Sequence, residues 1–427
     1  MQRVKIGFWQ EALDLLNICD VQWPMLYYYR GAALKKLGEE EKAAEMFRLA
    51  DKADPSYCFP NRLEDINVLK MAVEDQPECP KAYYYLGNIW YDKRQYKEAK
   101  ENWEMAAKLD PQYPTVFRNL ALVYYNKSNE PEKAREVLEK AFGLDTSDAR
   151  VFLELDQLYK KLGMSTEDRI AFYEKYADTF VKRDDVFIEY ITMKNFVGEH
   201  EKAYELLMGR KFHPWEGGEG KATTQYTTAL VGMAKRALAE KNYEEAEELL
   251  EKALVYPENL GEGKLEGTKD NHINYYLAVA KAALGKEACA EELLEKATTG
   301  TDEPAGMMFY YDQPADMIMY QGMALEKLKK STPSKSRFQK LISYGEAHIC
   351  DEVKMDYFAV SYPDLQIFEE DLTRKNQAHC YYLMGLGNLG LKNMEKAAQY
   401  FKDTLKLDPH HLNARIYLRD IETEAYF

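Results

Sequence analysis

An all-α, right-handed helical-repeat solenoid is the fold this sequence predicts, and three observations predict it. One residue pattern recurs in three separated places, its internal spacing is helical, and its period is about 34 residues. The clearest copy is Tyr83, Leu86, Gly87, Trp90, Ala99, Trp103, Ala106 and Pro111. A second runs Tyr27, Gly31, Leu34, Ala43, Phe47, Ala50 and Pro55, and a third Tyr381, Met384, Gly385, Asn388, Ala397, Phe401 and Pro409. Large apolar residues on the first helix of each pair (helix A) need small residues such as Gly87 and Ala99 where the antiparallel helix B crosses closely. Pro111 then stops helix B, because it has no N–H to continue the ladder.

The pattern resembles the tetratricopeptide (TPR) signature, which makes the fold a TPR-type helical-repeat solenoid and its role that of a scaffold. Gly7, Ala12 and Leu16 align with the turn and helix B of a unit, so the sequence opens on half a repeat, like the tail of something longer; a short independent helix over residues 1–6 is the alternative. The 24–57 repeat is followed by a truncated unit marked by Leu69, Ala72 and Pro77, with FPNRLED in place of its helix A. Regular units cover 80–113 and 114–148, and degenerate ones span 149–210. The pattern recovers from 223 with Leu230, Ala234, Ala246 and Leu250, then Leu277, Ala278, Ala290 and Leu294, and a further pair spans about 314–345 with Gly322 and Phe338. Repeats therefore occupy 1–345, an irregular insertion containing Pro363 occupies 346–375, and 376–427 holds the last repeat and a charged capping helix.

Composition bounds the function classes. A net charge of -15 opposes sequence-independent binding of nucleic acid or of an anionic membrane surface, since neither has a basic stripe to meet. No uncharged apolar run is long enough to span a bilayer, and Glu11 and Asp14 interrupt the only candidate signal-peptide stretch, so a cytoplasmic location is the expectation for the chain as given. The six cysteines form no C-x-x-C pair, and the seven histidines show no metal-ligand spacing. No nucleophile elbow is present either, so the expectation is no catalytic residue, no metal and no cofactor.

Two connections carry a shared motif: PWEGGEGK at 214–221 and PENLGEGK at 257–264. Loops at equivalent places in adjacent units emerge on one edge, which makes Trp215, Glu216, Gly218, Glu219, Gly220, Lys221, Gly261, Glu262, Gly263 and Lys264 a candidate interaction surface. A phosphate-binding P-loop is excluded, because Trp215 and Glu258 stand where its first glycine belongs, and Ala222 and Leu265 where Ser or Thr must bind magnesium. Two readings stay open: glycine N–H groups with Lys221 or Lys264 forming an anion or hydroxyl site, or glycines serving only wide turns with Glu219 and Lys221 at the next helix start. Glu216 and Glu219 as a glycosidase-like acid pair is the weakest, since nothing sets their separation.

The second candidate surface is the concave groove, to which helix-A register assigns Tyr28, Tyr84, Asn88, Tyr91, Arg118, Tyr125 and Asn126. Tyrosines beside amide and guanidinium groups suit an extended peptide or a glycan, although with 33 tyrosines some reach any face by chance.

The strings FPNRLED (59–65), KAYYYLGNIWYDKRQYKEA (81–99), FHPWEGGEGK (212–221) and YPENLGEGKLEG (256–267) resemble the C-terminal TPR region of large bacterial proteins in which a mutarotase-like β-sandwich precedes the repeats. That resemblance covers most of residues 1–300 and implies a carbohydrate-related setting. Together the readings predict a non-catalytic protein-protein interaction scaffold that docks a β-sandwich domain or another chain through loops 212–221 and 257–267. The alternative is an accessory carbohydrate-binding or carbohydrate-processing module.

Overall fold

A computed structural model describes residues 8–215, 217–306, 313–353 and 367–423. Among the described residues there are twenty-two α-helices, one 3-10 turn and no strand, an all-α TPR-type helical-repeat architecture. The helices form two compact units. The first holds the described residues up to Leu162 together with Ile367–Glu369, and the second holds the remainder from Gly163 onward.

The first unit begins with α1 (Trp9–Ile18), followed by the pair α2 (Pro24–Lys36) and α3 (Glu40–Lys52). A single helix, α4 (Leu63–Asp75), precedes the pairs α5 (Pro80–Asp92) with α6 (Tyr96–Leu109) and α7 (Pro114–Asn126) with α8 (Pro131–Leu144), and α9 (Ala149–Lys161) ends the unit. Proline opens α2, α5, α7 and α8 at the first position, where its missing N–H is not needed. Each A-to-B turn passes through one left-handed residue, Gly38 at φ 81 in the first pair and Arg94 at φ 59 in the second. The FPNRLED segment is held by Asp65, whose carboxylate accepts the N–H groups of Asn61 and Arg62 at 3.0 Å each and the Tyr29 hydroxyl at 2.6 Å. A buried carboxylate with three donors thus ties together a stretch that has no helical ladder of its own.

Within a pair, the crossing is set by one glycine and one aromatic ring. A Cβ on Gly87 would lie 2.3 Å from Trp103 Cδ1, and the same approach recurs at Gly31 with Phe47, Gly322 with Phe338 and Gly385 with Phe401. Each ring is buried against bare backbone, so the two helices pack closer than any side chain would allow.

The second unit starts with the short helices α10 (Thr166–Lys175) and α11 (Ala177–Phe180), then α12 (Asp184–Val197) and α13 (His200–Met208). Regular pairs follow: α14 (Lys221–Ala239) with α15 (Tyr243–Ala253), α16 (Asn271–Ala283) with α17 (Glu287–Ala297), α18 (Asp316–Lys327) with α19 (Ser331–His348), and α20 (Leu372–Gly390) with α21 (Met394–Leu407). Of the insertion expected at 346–375, residues up to His348 extend α19, and 354–366 lie outside the described residues.

The last helix, α22 (Leu412–Glu422), is the one expected as a charged cap. Its Ala414, Tyr417 and Leu418 are buried, and its polar side chains reach four other helices of the unit. Asp316 Oδ2 on α18 accepts the hydroxyls of Tyr382 at 2.6 Å and Tyr417 at 2.9 Å and the Asn413 amide at 3.2 Å. Tyr417 also shares a hydrogen bond with Tyr320, and Asp420 pairs with the buried ammonium of Lys235 on α14. Two of its charges, Arg419 and Asp420, thus meet other helices of the unit, whereas Glu422 is exposed.

Arg419 on α22 approaches His200, with Nη2 3.5 Å from the ring Nε2, while His200 Nδ1 lies 3.0 Å from Asn195 Oδ1. Asn195 already donates through its Nδ2 to Gln225, so its oxygen faces the imidazole, which must donate from Nδ1 and accept at Nε2. That arrangement requires a neutral ring. Burial first, then the charges of Arg419, Lys235 and Arg236, push the His200 pKa down to about 3, and burial pushes His272 down to about 4.

Two outcomes follow. Gly87→Ala is expected to destabilise the chain by about 1–3 kcal/mol through overpacking on Trp103, whereas Gly143→Ala, where nothing lies within 4 Å of the new methyl group, is expected to be stabilising by about 0.5–1 kcal/mol. Urea midpoints read by circular dichroism check both, and equal midpoints would remove the crossing constraint. Because the unfolded His200 titrates near 6.5 and the folded one near 3, the unfolded chain binds more protons between those values. Stability is therefore fully present above pH 6.5 and falls on acidification toward pH 4; a His200→Gln variant should show a shallower fall over that interval in the same assay.

Candidate functional site

In the first unit one polar chain runs from helix pair to helix pair. Trp103 Nε1 donates to Asn88 Oδ1 at 3.0 Å, and the same oxygen accepts the Asn119 amide at 3.1 Å. Asn119 in turn accepts from Arg118, whose guanidinium grips Glu154 with two bonds of 2.7 Å. Burial opposes the Arg118 charge, but the bidentate Glu154 pair outweighs it and raises the pKa above the ordinary guanidinium value. Glu154 is fully buried and also accepts from Arg150 at 3.1 Å. Residues read as groove liners are therefore knitted together before any ligand arrives, which preorganises the face.

A separate cluster in the same unit carries the candidate site. Asn126, the last residue of α7, uses both ends of its amide on a non-helical backbone: Nδ2 donates to the Ile367 carbonyl at 2.9 Å, and Oδ1 accepts the Glu369 N–H at 2.9 Å. Between those two bonds Phe368 is 1% exposed, with its ring edge-on to Tyr125 at 5.1 Å between centroids. Lys127 pairs with the Glu369 carboxylate. Tyr91 hydrogen-bonds Asn126, and burial raises its pKa. A non-helical tripeptide that bends at Ile367 and Phe368 is thus gripped by its backbone, by one ring and by one charge.

Of the groove residues read from sequence, Asn88, Tyr91, Arg118, Tyr125 and Asn126 come together on this face. Tyr28 and Tyr84 do not serve it. Tyr28 is fully buried between Phe47 and Tyr85, and Tyr84 is 8% exposed against Tyr113. For Tyr28 the cause is the truncated unit, since the segment before α4 brings Cys58 against Tyr85 and Tyr28, whereas Tyr84 is enclosed by Tyr85 and Tyr113. Sequence reading missed Lys127, Glu154 and the Ile367–Glu369 segment. Lys127 lies next to Asn126 and was within reach of the same register argument; the segment was not, because its partner is more than two hundred residues away in sequence.

The two glycine-rich connections are in contact. The Gly220 N–H points at the Glu262 carboxylate, 3.0 and 2.9 Å from its two oxygens, and Phe212 N donates to Asn259 O at 2.7 Å. Gly261 sits so close to the Phe212 carbonyl that a Cβ there would lie 2.7 Å from its oxygen, and Gly218 lies under the Trp215 ring. Lys264 turns inward to the Leu254 carbonyl at 2.8 Å and to Asp270 at 2.7 Å, above the Tyr256 ring. The matching Glu and Lys of the second loop therefore bind protein groups, and the Gly220 donor of an anion site is taken by Glu262. Glu219 and Gly263 are exposed, Lys221 opens α14, and Glu216 lies outside the described residues.

Among the described residues, no group of His, Cys, Asp or Glu is arranged to hold a metal ion, and no helix is long and apolar enough to cross a membrane.

Comparison with known proteins identifies the repeats. Residues 26–57 and 378–411 match the family model described as tetratricopeptide repeat, and residues 87–128 match one described as TPR repeat. Tetratricopeptide repeat protein 37 of Xenopus laevis is 33% identical over 100 residues, which is 22% of this chain and 6% of the length of that relative. The crystal structure of YrrB, titled as a TPR protein with an unusual peptide-binding site, is 20% identical, with 52% of this chain and 95% of that one covered at a TM-score of 0.30. The structure of Naa15/Naa10 bound to HypK-THB is 12% identical over 90% of this chain and 61% of the other, at a TM-score of 0.40. The chain carries tetratricopeptide repeats, the helical scaffold on which protein-protein interaction surfaces are built.

Proposed function

We propose that this chain is a non-catalytic scaffold whose first unit holds an extended segment of a protein partner on the inner face around Asn126. The observation that supports this most directly is the paired hydrogen bonding of the Asn126 amide to a peptide N–H and C=O two residues apart. Those bonds recognise an extended main chain whatever its sequence, while the Tyr125 ring and the Lys127 ammonium add preference for an aromatic side chain and a carboxylate. No neighbouring group on this face is poised as a nucleophile or a general base, because Arg118, Glu154 and Asn88 are spent on one another.

A second reading concerns the paired loops as the docking surface for a separate folded domain, a β-sandwich of the kind the sequence resemblance implies. Leu265, 80% exposed beside the loop contact, supports it, since a solitary exposed leucine on an otherwise self-satisfied turn is a candidate anchor.

For the groove, peptides selected from a displayed library on the whole chain are expected to bind Asn126→Ala at least about tenfold more weakly than the parent, since two hydrogen bonds of about 1 kcal/mol each are lost. Fluorescence polarisation measures this, and equal affinity would sink the reading. For the loops, a separately produced sandwich domain is expected to lose affinity for a Trp215→Ala, Leu265→Ala variant; an unchanged dissociation constant removes them from the interface.

A further inference from the structure

We infer that Ile367-Phe368-Glu369 is a built-in occupant of the first unit's peptide groove, and that the external ligand it competes with is an extended peptide carrying an aromatic residue followed by an acidic one. This rests on the groove reading above and adds the chemistry of the ligand and the regulation of its access.

Three observations carry the inference. The tripeptide is far in sequence from α7, yet it contributes to the first unit and to no helix: α20 begins only at Leu372. Its contacts divide as those of a ligand do. The backbone is read by Asn126 at both Ile367 and Glu369, the Phe368 side chain is enclosed at 1% exposure beside Tyr125, and the Glu369 carboxylate meets Lys127 at the rim, with its side chain 60% exposed. One receiving residue is held from outside the segment: Asn126 hydrogen-bonds Tyr91, whose ring is braced by Tyr96 and Trp103 at 5.2 and 5.4 Å between ring centroids. A face that is fixed without its occupant is a receptor, and a short non-helical segment held by two backbone bonds, one ring and one rim charge can leave it without unfolding a helix.

Tethering sets the competition. A segment on the same chain acts at an effective concentration of about a millimolar, so a free peptide of equal intrinsic affinity sees only the fraction of molecules whose groove is open. Partners of micromolar or better affinity gain entry, and weaker ones are refused. The tripeptide therefore sets an affinity threshold and displays the preferred sequence chemistry together.

The test uses a fluorescent peptide of residues 365–371, Leu-Gln-Ile-Phe-Glu-Glu-Asp, titrated against the full chain, against Phe368→Ala/Glu369→Lys, and against that variant with Asn126→Ala added. Removing the internal occupant is expected to tighten peptide binding by about tenfold, and adding Asn126→Ala is expected to abolish the gain. A peptide with Phe and Glu replaced by Ala and Lys is expected not to bind. The single variant Glu369→Lys changes only an exposed side chain, so it keeps the fold and is expected to tighten binding by about threefold, one rim charge pair being worth about 0.6 kcal/mol; it decides the matter if the double variant does not fold. Equal affinity for the parent and both opened forms, lost on Asn126→Ala, overturns the occupant while leaving the groove reading intact. Binding of the peptide to none of the forms overturns the inference.

Discussion

The contact of one aromatic ring with one bare glycine backbone is the constraint on which the rest of this molecule depends. At Gly31, Gly87, Gly322 and Gly385 the facing ring, Phe47, Trp103, Phe338 or Phe401, occupies the volume a methyl group would need. That closeness fixes how helix A lies on helix B, and so fixes which residues of helix A turn away from helix B toward the inner face. In the 80–113 unit the same ring does a second service, because Trp103 donates its indole N–H to Asn88 and starts the polar chain that runs to Glu154. Packing and site geometry are therefore linked through a single side chain.

Both units use their own chain to satisfy polar groups that a repeat surface leaves unpaired. In the second unit the buried Asp316 carboxylate finds two tyrosine hydroxyls and an amide, two of the three donors belonging to α22. Without that helix a carboxylate and several tyrosine hydroxyls would lose partners in a low-dielectric interior, where an unmade hydrogen bond costs more than a made one contributes. In the first unit two backbone bonds, the enclosed Phe368 ring and one exposed ion pair hold Ile367–Glu369.

Local signals were the legible part. The Gly87, Ala99 and Trp103 pattern, the prolines that open α2, α5, α7 and α8, and the duplicated P-x3-G-E-G-K connections each act within one or two neighbouring units, so spacing alone reveals them. The register argument also reached Asn88, Tyr91, Arg118, Tyr125 and Asn126. Tyr28 and Tyr84 are instead buried, Tyr28 where the truncated unit brings Cys58 over it and Tyr84 against Tyr113. The helix α22 reads in sequence as a charged cap, and the structure adds that its Arg419 and Asp420 meet His200 and Lys235.

The sequence by itself determined the helix pairs, their crossing and the face each helix presents, because those follow from side-chain volume and hydrogen-bonding capacity at fixed helical spacing. Only the tertiary structure decided what fills the inner faces. The tripeptide at Ile367–Glu369 and the helix at Leu412–Glu422 meet partners that are hundreds of residues distant, and their own sequences carry no periodic mark of that destination. Long-range occupancy depends on complementary shape and charge that exist only once the repeats have stacked, which is why the same residues read as insertion and cap in sequence and as ligand and closure in space.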